Sequence, residues 1–178
     1  MKTQETSIPG VTLLTPPRYE DSRGVFRPVF AKRPHITEGI SQNWAEMNVS
    51  ETKPNCIRGL HFQDPHPQAK LITVISGEIW DVVVDLRKGE NFGRWEAFEI
   101  SANRDETPSQ IYLPEGVAHG LATPAGPATI SYLVGSSWNP ESEQVLAWDD
   151  PQLAIPWPVK SPALSPRDQQ GLTLQSLR

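Results

Sequence analysis

The chain has one cysteine, Cys56, among 178 residues, so no internal disulfide can hold it together. A lone thiol fits a reducing compartment, and a buried, inert role is expected for it. No apolar run approaches the roughly 20 residues that a membrane-spanning helix needs. The first residues, Met1-Lys2-Thr3-Gln4-Glu5, lack the apolar segment of a signal peptide, which points to the cytoplasm. No basic stripe or cluster stands out, and the formal net charge is −5, so nucleic acid is not an expected partner. A few arginines gathered in one pocket could still hold a phosphate in an acidic protein. No repeat, low-complexity tract or linker divides the sequence, so a single domain over residues 1–178 is expected.

Proline is plentiful, with 18 residues, about twice the ~5% of average usage. Proline interrupts helices and the middle of sheets, so the chain should be short strands joined by fixed turns. Strand-like runs fall at 11–14, 25–30, 44–49, 55–63, 69–76, 78–86, 95–101, 110–113, 118–123, 128–134 and 143–148. Residues 33–41 read as a short helix or an irregular turn, and a late helix could start near Ser165-Pro166. Turn chemistry separates the strands, as in Asp64-Pro65-His66-Pro67 and Thr123-Pro124-Ala125-Gly126-Pro127. Many short strands at this spacing predict an all-β sandwich or barrel.

The clearest strand is Glu78-Ile79-Trp80-Asp81-Val82-Val83-Val84-Asp85-Leu86. Alternation sets Trp80, Val82, Val84 and Leu86 on one face and Ile79, Asp81, Val83 and Asp85 on the other. The mixed face could line a cavity or face water. Two other segments place a histidine in a strand-like run beside a glycine: Ile57-Arg58-Gly59-Leu60-His61-Phe62-Gln63 and Leu113-Pro114-Glu115-Gly116-Val117-Ala118-His119-Gly120. A barrel metal site would want His-x-His and then a carboxylate. Here Gln63 stands where the second histidine would be, and Lys70 brings a cation into the region, so no metal is expected.

The same residues can support proton transfer. A histidine can take a proton from a carbon made acidic by a carbonyl, and a lysine ammonium can stabilise the enolate oxygen. The base needs an orienting acid, for which Asp81, Asp85 and Asp168 are candidates. Tyr132 could return a proton from the opposite face. Each residue also has an ordinary structural reading. Tyr132 could be core, Lys70 could be surface, and Ser165-Pro166-Arg167-Asp168 reads as a helix start with its acid at the third position.

Taken together the segments resemble the dTDP-4-dehydrorhamnose 3,5-epimerase family. The resemblance runs through Asp21-Ser22-Arg23-Gly24-Val25-Phe26, Asn48, Arg58-Gly59-Leu60-His61-Phe62-Gln63 and Gln68-Ala69-Lys70. It continues through Gly77 to Arg87, Phe92-Gly93-Arg94-Trp95, the His119 segment, Tyr132, Trp148-Asp149-Asp150-Pro151, Ile155-Pro156-Trp157-Pro158 and Leu164 to Asp168. The resemblance implies a cupin-type jelly-roll barrel with short peripheral helices. It implies no cofactor, and a homodimer in which an N-terminal strand crosses to the partner. It makes His61 the general base and Asp168 its orienting acid. Lys70 becomes the enolate stabiliser and Tyr132 the acid on the other face. Arg23, Asn48, Arg58, Asp81, His119 and Trp138 become substrate contacts, with Arg23 and Arg58 at the diphosphate. For Arg58 and His61 to face the same pocket, Gly59 must mark a bulge or sharp twist.

The chain also departs from the family. Pro28 stands where a glutamate is common, Glu46-Met47-Asn48-Val49 replaces the usual Gln-Asp-Asn-His, and Ser137 precedes Trp138. The Asn-Val-Ser stretch is closer to members that modify other deoxysugars. The expected activity is epimerisation of a nucleotide-linked 4-keto-6-deoxy sugar, dTDP-linked by resemblance, at C3, C5 or both. The alternatives are a mono-epimerase, a 3,4-ketoisomerase and a non-catalytic sugar-nucleotide-binding cupin.

Overall fold

A computed structural model describes residues 1–40, 43–104 and 107–178. Its strands are β1 (Lys2–Glu5), β2 (Thr12–Thr15), β3 (Tyr19–Asp21), β4 (Gly24–Phe26), β5 (Glu46–Thr52), β6 (Ile57–Gln63) and β7 (Lys70–Ser76). They continue as β8 (Glu78–Asp85), β9 (Trp95–Ser101), β10 (Gln110–Leu113), β11 (Val117–Ala122), β12 (Ala128–Val134) and β13 (Glu143–Val145). One short helix, α1 (Lys32–Thr37), follows the β3–β4 hairpin, and two 3-10 turns, Asp168–Gln170 and Leu174–Leu177, close the chain.

The strands form two facing antiparallel sheets. One has the order β1-β2-β10-β7-β12-β5 and the other β13-β6-β11-β8-β9, with the β3–β4 hairpin apart. From β5 to β13 the chain alternates between the sheets except at the β8–β9 pair, which is the wrapping of a jelly-roll barrel. The all-β expectation holds. None of the described helices is long and apolar enough to cross a membrane.

Alternation decides where the core sits. Ile72, Val74, Ile79, Val83, Ile111, Leu121 and Ile130 point between the sheets and form the inner core. Each fully buried side chain of this size contributes about 1.5–3 kcal/mol. The other face of β8 packs outward. Val82 and Val84, with Trp80 and Leu86, join Leu60, Phe62, Ala118, Leu146, Leu153, Ile155 and Leu174, so the C-terminal segment covers the five-stranded sheet. Both faces of β8 are thus buried, and Asp81 and Asp85 lie under protein and not in water.

Several expected boundaries move. The strand expected over 25–30 stops at Phe26, and the one over 143–148 is three residues long. The segment expected over 33–41 is helical only as far as Thr37, in α1, and turns at Glu38 and Gly39; Ser41 lies outside the described residues. Lys2–Glu5 adds a strand that its polar composition concealed; it forms by pairing with β2. Cys56 is half-exposed instead of buried.

Candidate active site

Strands β6 and β11 bring the two histidines face to face. Their register places His119 opposite His61 and then shifts, so that Leu121 lies opposite Arg58. The shift is the bulge that the sequence required, and it turns Arg58 onto the same face as His61. Gly59 makes it possible. Its φ is +101°, and a Cβ there would lie 2.5 Å from the His119 carbonyl oxygen.

The result is a cavity of about 220 Å³ lined by Asn48, Ser50, Arg58, His61, Gln68, Lys70, His119, Leu121, Tyr132, Val134 and Glu143. Six of the sequence-derived candidates are there: His61, Lys70, Tyr132, Asn48, Arg58 and His119. Asp168 and Asp81 stand directly behind the two histidines.

His61 and Asp168 meet at 2.6 Å, Nε2 to Oδ1, although the two residues are 107 apart in sequence. The His61 side chain keeps 32% exposure and that of Asp168 only 4%. Burial alone would raise the Asp168 carboxyl. Hydrogen bonds from His61, the Ser165 side chain and the Gly59 backbone outweigh it and hold the carboxyl below its ordinary value. An ionised carboxylate only accepts, so Nε2 of His61 carries a proton, which leaves Nδ1 as the basic nitrogen of the neutral ring. The Ser165 hydroxyl accepts from the Asp168 N–H at 3.1 Å, as the expected helix start would have it, but only a three-residue 3-10 turn follows, with Asp168 its first residue and not its third.

His119 and Asp81 form a second pair, also at 2.6 Å, but with side-chain exposures of 6% and 0%. Burial pushes the Asp81 carboxyl up, against the pull of His119 and Lys70. Its Oδ1 is buried without a partner among the described residues. Asp85, the remaining candidate acid, is instead engaged by the Arg87 guanidinium at 2.6 Å.

Lys70 opens β7 and donates to the His61 carbonyl at 3.4 Å. Burial of its ammonium pushes its pKa down to about 8, against the attraction of Glu143 and Asp81. Tyr132 faces the cavity from β12, its ring 6.3 Å from that of His119 in an edge-on arrangement. Burial raises its phenol, and the hydroxyl contacts Ser50 at 3.2 Å. Arg58 is steadied by the Thr52 hydroxyl at 2.9 Å and the Glu51 carbonyl at 3.3 Å.

Besides Asp81 and Asp168, which back the histidines, two candidates fall outside the lining. Arg23 sits at the tip of the β3–β4 hairpin with 88% side-chain exposure, paired to Asp21. Trp138 is 55% exposed, and its indole donates to Glu143 at 2.6 Å. Glu143 also receives the Arg167 guanidinium. Ser50, Gln68 and Glu143 line the cavity without having been singled out from sequence. For Ser50 a signal existed, since it lies two residues from Asn48 on an alternating strand. For Glu143 on its three-residue strand there was none.

Fold and site define a jelly-roll barrel of the cupin type, with one open end built around two His–Asp pairs, a buried lysine and a tyrosine. The chain matches the family model described as dTDP-4-dehydrorhamnose 3,5-epimerase over residues 5–176. It is 37% identical to dTDP-4-dehydrorhamnose 3,5-epimerase of Neisseria gonorrhoeae over 171 residues, 95% of this chain and 51% of that one, so it spans about half of that relative's length. It is also 37% identical to dTDP-4-dehydrorhamnose 3-epimerase of Streptomyces niveus, across 100% of this chain and 86% of that one. The crystal structure of dTDP-6-deoxy-D-glucose-3,5-epimerase from Legionella pneumophila, in complex with dTDP-4-keto-L-rhamnose, superposes with a TM-score of 0.90 at 36% identity, covering 98% of this chain and 93% of that one. The chain belongs to the dTDP-4-dehydrorhamnose 3,5-epimerase family.

Proposed function

We propose that the protein is an isomerase that epimerises a dTDP-linked 4-keto-6-deoxy sugar at C3, C5 or both. The observation that carries this reading is the His61–Asp168 contact of 2.6 Å at the wall of a cavity that Lys70 and Tyr132 also line. In the proposed reaction, Nδ1 of His61 removes a proton from a carbon beside the C4 ketone. Asp168 holds the ring and offsets the imidazolium charge that forms. The Lys70 ammonium stabilises the enolate at O4, and Tyr132 delivers a proton to the opposite face. Acidity beside a ketone supplies the chemistry, so the proposed reaction calls for no cofactor and no metal. Asn48, Arg58, His119 and Trp138 would hold the substrate, with Arg58 on the diphosphate and Asp81 bracing His119 from behind.

A homodimer fits the same reading. The hairpin exposes Tyr19, Val25 and Phe26, and the edge strand β5 exposes Met47 and Val49. Contiguous apolar residues of this kind mark interaction surfaces. Across a dimer, the hairpin could bring Arg23 to a partner's diphosphate site. A single domain in the cytoplasm completes the proposal.

Incubation with dTDP-4-keto-6-deoxyglucose in D₂O, followed by NMR, tests the function. Deuterium at C3 and C5 is expected for double epimerisation. Label at C3 alone would assign the single-centre reaction named for the Streptomyces niveus relative. Absence of label with this and other 4-keto nucleotide sugars would overturn the proposal.

A further inference from the structure

Proton return through Tyr132 leaves a difficulty that the four proposed catalytic groups do not resolve. Once the phenol has given its proton to carbon, a tyrosinate sits where burial already raises the cost of that charge. The phenol must be aimed at one face of the sugar, and its proton must be replaced before another inversion. Its one hydrogen-bond partner among the described residues is Ser50, at 3.2 Å. That is long for two hydroxyls, but contacts of this kind commonly tighten around a bound substrate.

Strand β5 makes Ser50 suited to both tasks. It is the last strand of its sheet and pairs only with β12. Register places Asn48 opposite Tyr132 and Ser50 opposite Ile130, so the Ser50 side chain shares the inner face with the phenol. Ser50 is half-buried and lines the cavity beside Asn48, which is exposed. A serine hydroxyl both donates and accepts, so it can pass a proton without ionising.

We infer that Ser50 is a positioning residue that aims the Tyr132 hydroxyl and resupplies its proton from pocket water. The inference rests on the proposed function. In the step, the Tyr132 O–H bond breaks as the new C–H bond forms. The Ser50 O–H proton then moves to the tyrosinate oxygen, and Ser50 takes a proton from water. His61 releases the proton it abstracted, so the net change is one proton gained from solvent and one returned.

Ser50→Ala tests this in D₂O with dTDP-4-keto-6-deoxyglucose, reading two rates by NMR. One is deuterium entry into recovered, uninverted substrate, which needs only His61 and Lys70. The other is formation of inverted, labelled product, which also needs Tyr132. The expected result is a fall in inversion of roughly five- to tenfold, the usual weight of one hydrogen bond, while exchange into recovered substrate holds or rises. Ser50→Thr keeps the hydroxyl and should restore inversion. Equal loss of both rates in Ser50→Ala, or no loss of inversion, would overturn the inference, as would Ser50→Thr behaving like Ser50→Ala. A wild-type protein that exchanges no deuterium would instead sink the proposed function and this inference with it.

Discussion

The two His–Asp pairs have the same 2.6 Å contact and opposite electrostatics. Asp168, the first residue of a 3-10 turn, accepts from three groups, and its carboxyl sits below the ordinary value. Asp81 has His119 on one oxygen and nothing among the described residues on the other, and its carboxyl is pushed up. The difference lies in how many donors solvate each carboxylate, not in the distance to the histidine. A well-solvated carboxylate can support an imidazolium that forms during proton abstraction. A poorly solvated one favours a neutral pair, suited to holding a substrate oxygen. On this account the first pair does the proton transfer and the second does the holding.

The contrast can be tested at several strengths. His61→Ala should cost about 10²–10⁴-fold in deuterium exchange, the usual contribution of a general base. His119→Asn should act mainly through KM, and a comparable loss of kcat would erase the distinction. The buried Lys70 gives a pH test. Its cation is present below a pKa of about 8 and is lost as pH rises through it. Epimerisation should therefore fall about tenfold per unit above that pH. In Lys70→Met the residual activity should lack that limb. The smallest effect is expected at Thr52→Val, which frees the Arg58 guanidinium from its 2.9 Å anchor. KM should rise roughly fivefold, about 1 kcal/mol, with kcat held.

Alternation made the barrel legible before any coordinates. It grouped Ile79 and Val83 with Asp81 and Asp85 on one strand face without deciding between cavity and water, and it required a break at Gly59 if Arg58 and His61 were to share a pocket. The register shift supplies that break. The partners of the two histidines were not legible from periodicity. Asp81, Asp85 and Asp168 were equal candidates by residue type, and only folding assigns Asp85 to Arg87, Asp81 to His119 and Asp168 to His61. The role of Asp168 entered through family resemblance, because a contact across 107 residues leaves no local pattern. Ser50 and Glu143 escaped notice for different reasons. Ser50 lies just past the strand expected over 44–49, which in fact runs on to Thr52, while Glu143 belongs to a strand too short to show a period. Lys2–Glu5 escaped because its pairing with β2, not its composition, makes it a strand.

The central claim is that Asp168, and not Asp81, supports the charge on the base. The most direct measurement compares first-order deuterium exchange in Asp168→Asn and Asp81→Asn under saturating substrate. Replacing a charged hydrogen-bond partner costs about 1.5–3 kcal/mol, so Asp168→Asn should lose roughly 10- to 150-fold. Asp81→Asn keeps a neutral hydrogen-bonding group beside His119 and should lose less than about tenfold by the same measure. Equal losses, or a larger loss in Asp81→Asn, would contradict the account.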